Sequence, residues 1–106
     1  MSQSTQAVTI QALIVPRPEH VQDVETEMLA MVQASRAESG CQRYDLLRVD
    51  RPDGTVEFHV QERYDDMTAV QAHRDSAHYQ AYRSRAGDWF AQPPAVTLLR
   101  DVDVAG

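Results

Sequence analysis

Polar and apolar residues alternate along four stretches of the chain, a pattern typical of strands with one buried face. These stretches cover residues 8–14, 41–49, 56–64 and 96–104. After the first and third stretches, apolar residues recur instead at the spacing of an amphipathic helix. The order β-α-β-β-α-β predicts an α+β fold of the ferredoxin-like, split-βαβ kind, with a four-stranded antiparallel sheet.

Local signals define the boundaries of these elements. Pro18 suits the first turn of a helix, where a missing N–H has no cost. Gly40 is expected to end that helix as a left-handed cap. The run at 51–54, Arg-Pro-Asp-Gly, predicts the turn of a hairpin. One of the two aspartates at 65–66 can cap the second helix, and Ser76 can begin a further helical piece that ends near residue 85.

The size of the sheet bears on assembly. The 106 residues are expected to form one domain, with its core between about residues 8 and 104. Two helices cover only one face of a four-stranded sheet, and the other face still carries apolar residues on several strands. A homodimer that buries this second face is therefore expected.

Composition narrows the classes of function. The net charge is −6 without any basic run, so no nucleic-acid partner is expected. All ten basic residues are arginine, which excludes lysine Schiff-base chemistry. Cys41 is the single cysteine, so neither an internal disulfide nor a cysteine-rich zinc site is expected. The polar stretch at 1–7 is unlike a signal peptide, and no apolar run is long enough to span a bilayer, so a cytoplasmic location without a membrane partner is expected.

Histidines on the second predicted helix are the first candidates for chemistry. His73 has Val70 one turn before it and Ala77 one turn after it, so it is either a hydrogen-bonded core histidine or a base that faces a pocket. His78 follows five residues later, which turns a continuous helix by about 140°. Since paired metal ligands on a helix are four residues apart, no metal site is expected here.

Glu62 and several aromatic residues are further candidates. Glu62 shares a strand face with apolar neighbours such as Phe58, so it needs a partner or its pKa rises. A salt bridge to an arginine and a catalytic role both remain open. His59 projects from the opposite strand face, toward a partner subunit or solvent, and His20 is expected at the surface. Five aromatic residues could line a pocket for a flat ring: Tyr44, Tyr64, Tyr79, Tyr82 and Trp89.

Three segments resemble the antibiotic biosynthesis monooxygenase family. They are SRAESGCQRYDL at 35–46, FHVQERYDD at 58–66 and AVQAHRDSAHYQAY at 69–82. The resemblance extends over about residues 8–102. It implies a dimeric α+β barrel in which two sheets face each other, with a pocket in each subunit between sheet and helices. It also implies chemistry without flavin, haem or metal, in which the deprotonated substrate itself gives an electron to O₂.

The resemblance implies a function and a set of site residues. The function is a cofactor-independent monooxygenase that oxidises a quinol, polyphenol or aromatic polyketide. By this resemblance His73 is the candidate base, and the ring is oriented by Tyr44, Glu62, His78 or Trp89. Together with the aromatic residues above, the predicted catalytic residues are His73, Glu62 and His78, and the predicted substrate-binding residues are Tyr44, Tyr64, Tyr82 and Trp89.

Other functions on the same scaffold stay open. The haem-degrading relatives have an Asn on the first strand, a Trp near the position of His73 and a His about ten residues further. This chain has no Asn at all, and Arg83 stands where that His would be, so haem degradation is not expected. A non-catalytic dimeric module that binds a small hydrophobic metabolite, and an isomerase, are the remaining alternatives.

Overall fold

The chain folds into one antiparallel sheet with three helices, as seen in a computed structural model that describes residues 6–105. In chain order the elements are β1 (Val8–Ile14), α1 (Val21–Arg36), β2 (Cys41–Asp50), β3 (Val56–Tyr64), α2 (Met67–Asp75), α3 (Ala77–Ala86) and β4 (Ala95–Leu99). The strand order is β2-β3-β1-β4, so the predicted α+β, ferredoxin-like fold is confirmed. Most of the polar N-terminal stretch lies outside the described residues.

The register places one row of side chains across the face of the sheet on which the helices pack. Tyr44 pairs with Glu62, Glu62 with Ile10, and Ile10 with Leu98. Antiparallel partners point to the same face, so the Glu62 carboxyl lies in the middle of this row. Tyr44, Glu62 and Ile10 are buried, whereas Leu98 on the edge strand is 50% exposed. The helices thus cover β2, β3 and β1 but leave this side of β4 open.

The second helical region consists of two helices, and the predicted start of a further helix at Ser76 is confirmed. Asp66 caps α2 by accepting a hydrogen bond from the backbone N–H of Ala69 at 2.9 Å. Ser76 then takes an extended conformation, with ψ of 150°, and its side chain accepts from the backbone N–H of Tyr79. The break occurs because a serine in this conformation ends one helix and caps the next. As a result, the rotation between His73 and His78 is not that of a continuous helix.

Gly40 does not have the predicted role of a left-handed helix cap. Helix α1 ends at Arg36, and among the described residues only Gly54 has a positive φ, of 91°, in the hairpin turn. At Gly40 the requirement is space, because a Cβ there would lie 2.5 Å from the Cβ of Ala69. The glycine therefore lets the start of β2 pass close to α2.

Substitution of Gly40 by alanine is expected to destabilise the fold. The added methyl group overlaps Ala69 in α2, and the Gly40 backbone is held by a hydrogen bond that its carbonyl accepts from the Asp65 N–H at 2.9 Å, so we expect the free energy of unfolding to fall by about 1–3 kcal/mol. Urea denaturation measures this change. Gly87→Ala is the matched control, since no atom lies within 4 Å of its added Cβ. Equal stability of the two variants would contradict the packing role of Gly40.

The last strand is shorter than predicted. It ends at Leu99 instead of continuing to residue 104. Within residues 6–105 it pairs with β1 alone, where Thr9 is paired with Leu99, so few partner residues remain beyond that point. Asp101 instead accepts hydrogen bonds from the guanidinium of Arg63 at 2.8 and 3.0 Å. This pair, rather than strand pairing, fixes the chain after β4.

The face of the sheet opposite the helices is mixed in character. Leu47 and Leu99 lie on it and are 46% and 44% exposed. Charged and polar side chains such as Arg63 and His59 lie between them, and His59 is half-buried between Glu57 and Gln11. Among residues 6–105, no helix has the length and apolar character required to cross a membrane.

Candidate active site

A cavity of about 220 Å³ lies between the sheet, the three helices and the segment that leads into β4. Its polar lining residues include Tyr44, Glu62, His73, Tyr79 and Tyr82, and most of the remaining wall is apolar. An apolar cavity of about 150 Å³ is enough for benzene. The cavity therefore suits one aromatic ring or two fused rings. All five were singled out from the sequence, and four of them are catalytic or substrate-binding candidates that lie on four separate elements.

His73 is held with one nitrogen toward a carboxylate and the other toward the cavity. The residue is 3% exposed, and its Nδ1 lies 2.8 Å from Oε2 of Glu38. An ionised carboxylate only accepts hydrogen bonds, so Nδ1 carries the proton. Nε2 then has a free lone pair, and it lies 4.0 Å from Oε1 of Glu62. Burial lowers the pKa of His73, and the hydrogen bond to Glu38 opposes this shift. The ring is therefore neutral at pH 7 and able to accept a proton.

The sequence argument that separated His73 from His78 is wrong in its geometry. Nε2 of His78 lies 2.6 Å from the same Glu38 oxygen that accepts from His73. The helix break at Ser76 is the reason, since it redirects the chain between the two histidines. Glu38 was not a site candidate from the sequence, because no spacing rule links it to histidines that follow 35 and 40 residues later. His78 is half-exposed, so the three groups connect the buried imidazole to solvent.

These three side chains also have the composition of a metal-binding set. One ligand atom from each of Glu38, His73 and His78 lies within 4.8 Å of the others. Around a zinc ion at about 2.1 Å, tetrahedral ligand atoms are roughly 3.4 Å apart. The contacts of 2.6 and 2.8 Å to Glu38 are instead hydrogen-bond distances. The sequence expectation of no metal remains a prediction.

Glu62 is buried beside His73. It accepts a hydrogen bond from the Tyr64 hydroxyl at 2.7 Å, and no arginine forms a salt bridge with it among residues 6–105. Of the two open interpretations, the arginine salt bridge is therefore wrong. Burial raises the pKa of Glu62 to about 7, although the Tyr64 hydrogen bond and the positive charge of Arg74 oppose the shift. The carboxyl group is thus partly protonated near neutral pH.

The aromatic candidates divide into two groups. Tyr44 and Tyr82 line the cavity and are 3% and 6% exposed, and burial raises the pKa of both hydroxyls. They remain phenols that can donate hydrogen bonds. Tyr64 is fully buried outside the lining and reaches the cavity only through Glu62. Trp89 stacks on His20 at 5.8 Å and does not line the cavity, so its predicted contact with substrate is not supported.

This arrangement can accept a proton from a hydroxyl group in a largely apolar space. Nε2 of His73 and Oε1 of Glu62, 4.0 Å apart, can both lie within hydrogen-bond distance of one ligand oxygen. A phenolate formed there would have neutral phenol donors nearby in Tyr44 and Tyr82. The proton taken by His73 would form an imidazolium next to the Glu38 carboxylate. Such an imidazolium is stabilised by its acceptor.

Comparison with known proteins supports a single family. The model of the family described as "Antibiotic biosynthesis monooxygenase" matches residues 7–85. A curated protein of Mycobacterium tuberculosis named "Putative monooxygenase Rv0793" is 38% identical over 95% of this chain and 97% of its own length. Its solved structure has a TM-score of 0.86 and covers 95% of this chain and 100% of its own. A Bacillus subtilis protein named "Putative monooxygenase YcnE" is 30% identical over 81% of this chain and 88% of its own length.

Proposed function

The chain belongs to the antibiotic biosynthesis monooxygenase family, and from this we propose that it oxidises a quinol or polyphenolic ring with O₂ without a cofactor. The family and the names of its relatives support a monooxygenase-like role. The observation that carries the specific proposal is the orientation of His73. Its protonated Nδ1 faces Glu38, and its Nε2 faces a cavity large enough for one or two rings.

In the proposed reaction, His73 acts as the general base. A quinol hydroxyl gives its proton to Nε2, and the resulting phenolate transfers one electron to O₂. The superoxide and the substrate radical combine into a ring peroxide anion, which takes the proton back from His73 to become a hydroperoxide. When its O–O bond breaks and the hydrogen on the same ring carbon leaves as a proton, water is released and the second oxygen atom stays on the ring, which gives a hydroxyquinone. One O₂ and one quinol thus give one hydroxyquinone and one water, and the substrate supplies all the electrons.

In this reaction the protein positions the substrate, excludes water from it and transfers protons. An apolar wall excludes water, so the hydrogen bonds to the phenolate are stronger than they would be in water. The phenols of Tyr44 and Tyr82 are suited to donate to the developing anion. Protonated Glu62 can give a proton to the leaving hydroxide. His78 offers a route by which the proton on His73 exchanges with solvent through Glu38.

Oxygen uptake tests the proposal. Protein treated with a chelator and free of flavin should consume O₂ with one- and two-ring hydroquinones, at a rate proportional to enzyme above autoxidation. With ¹⁸O₂, one labelled atom should appear in the hydroxyquinone and one in water. Binding of these hydroquinones without uptake above the no-enzyme rate would favour a binding module. Conversion of substrate without O₂ consumption would favour an isomerase.

We propose that the active form is a homodimer. The support is the apolar content of the sheet face opposite the helices, where Leu47 and Leu99 are exposed and Leu13 and Val49 are half-buried. Sedimentation at micromolar concentration should give a species near twice the chain mass of 12.0 kDa. Leu47→Glu should shift this species toward the monomer, because it places a charge in the apolar contact. A wild-type monomer under these conditions would exclude the dimer.

A further inference from the structure

Arginines in this acidic protein are mostly neutralised by nearby carboxylates. Ten arginines face sixteen acidic residues in the sequence. Six of the ten pair with a carboxylate: Arg36, Arg43, Arg48, Arg51, Arg63 and Arg85. Among residues 6–105, four arginines are left without such a partner: Arg17, Arg74, Arg83 and Arg100. The positions of these four arginines therefore indicate where an anionic ligand could bind.

Two of these four line the same cavity as His73. Arg74 at the end of α2 is half-buried, and its guanidinium has no hydrogen-bond partner within the described part of the chain. Arg83 on α3 is exposed, donates a hydrogen bond to the Tyr79 hydroxyl at 3.2 Å, and lies 5.8 Å above that ring. Both positive charges thus lie at the wall of a cavity whose interior is largely apolar.

We propose that the substrate is an aromatic carboxylic acid, whose carboxylate is bound by Arg74 and Arg83 while its ring hydroxyl lies at His73. This rests on the proposed function, and it adds the substrate class. A guanidinium binds a carboxylate through two parallel hydrogen bonds, which fixes orientation as well as charge. The carboxylate also keeps its charged end near solvent, so only the ring enters the apolar part of the cavity. A neutral ring would leave the Arg74 guanidinium without a hydrogen-bond partner among residues 6–105, in a protein of net charge −6.

The experiment compares two ligands that differ only in charge. 6-Hydroxy-2-naphthoate carries its hydroxyl and carboxylate at opposite ends of two fused rings, and 6-hydroxy-2-naphthamide is its neutral analogue. Both are monophenols and are not quinols, so binding can be measured by calorimetry without turnover. We expect the wild-type protein to bind the acid at least about tenfold more tightly than the amide. Higher ionic strength should weaken binding of the acid only.

Arginine variants test which residues cause the preference for the acid over the amide. Arg74→Gln with Arg83→Gln should abolish the preference for the acid and leave amide affinity within about twofold. Arg100→Gln is the matched control, because it removes the same charge from an arginine outside the cavity, and the preference should persist. Equal affinities of the wild-type protein for acid and amide, or no binding of either, would overturn the inference. So would a double variant that still prefers the acid, or one that loses affinity for both ligands equally.

The two proposals fail in different ways. Selective binding of the acid, with no O₂ uptake on any carboxylated hydroquinone, would refute the monooxygenase and keep the anion subsite. Oxygen uptake that is equally fast with neutral and carboxylated hydroquinones, in wild type and in the double variant, would keep the monooxygenase and refute the subsite.

Discussion

Replacement of His73 by glutamine is expected to reduce turnover about 10²–10⁴-fold while the protein still folds, since general-base catalysis contributes that much. Glutamine is similar in size and can keep one hydrogen bond toward Glu38, but its amide cannot accept a proton at neutral pH. We expect a loss of stability no larger than about 1–3 kcal/mol from the altered buried hydrogen bond. Steady-state O₂ uptake per folded molecule, with folding checked by denaturation, measures the two effects separately.

The pH dependence of the wild type gives an independent measure of the same base. The groups that face His73 are Glu38 before β2, Glu62 on β3, Arg74 on α2 and His78 on α3. Since only the neutral ring accepts a proton, the rate should rise with pH through the pKa of His73, which burial lowers from 6.5. Above about 7 the Glu62 carboxyl ionises, and its charge opposes phenolate formation, so the rate should fall. Glu62→Gln should remove this fall in rate at high pH.

A matched variant of a second histidine distinguishes the loss of the catalytic base from the loss of an imidazole ring elsewhere in the fold. His20→Gln changes the same side chain where it bonds to Asp23 and stacks on Trp89, outside the cavity. Its turnover should stay within about twofold of wild type. Near-normal turnover of a well-folded His73→Gln protein, on a substrate that the wild type oxidises, would show that His73 is a structural residue.

Sequence reasoning predicted the sheet because each strand carries its own signal. The alternation from Val56 to Tyr64 places Glu62 on the buried face, and the turn with Gly54 sets the hairpin, so both features follow from short segments. The last strand was predicted too long because residues 100–104 continue the alternation but have few partners on β1. Strand length depends on the neighbouring strand, and that neighbour is more than 80 residues away in the sequence.

The candidate site was predicted less completely because it is built from contacts distant in sequence. His73 and Glu62 could be identified individually, since each is a titratable group on an apolar face. Glu38 could not, because its two histidine contacts exist only after α2 and α3 pack near the start of β2. Gly40 shows the same limit: its residue type suits a helix cap, but its packing against α2 is what requires it.

Glu38 is expected to act as a positioning residue, and its loss should have the second largest effect on turnover. Glu38→Ala removes the acceptor that fixes the proton on Nδ1 of His73, so we expect kcat to fall about 10²–10³-fold. Glu38→Gln keeps an acceptor oxygen but removes the charge that stabilises the imidazolium, so a smaller fall of about 10–10²-fold is expected. KM should change little in either variant, because Glu38 does not line the cavity.

The pH profile distinguishes positioning from a general loss of structure. The Glu38 carboxylate opposes the burial that lowers the pKa of His73, so Glu38→Gln should move the rising limb to lower pH. Glu25→Gln is the matched control, since that carboxylate accepts a hydrogen bond from Arg48 at 2.7 Å on the surface, and it should leave the limb in place.

A double variant of Glu38 and His73 gives the decisive comparison, because it tests whether the two losses of turnover are independent. If Glu38 acts only through His73, the double variant Glu38→Gln with His73→Gln should be no slower than His73→Gln alone, because the group that Glu38 orients is already absent. If the two losses multiply, Glu38 serves the reaction by another route. A rising limb at the wild-type pH in Glu38→Gln would contradict the contact from Glu38 to Nδ1 as the source of the orientation of His73.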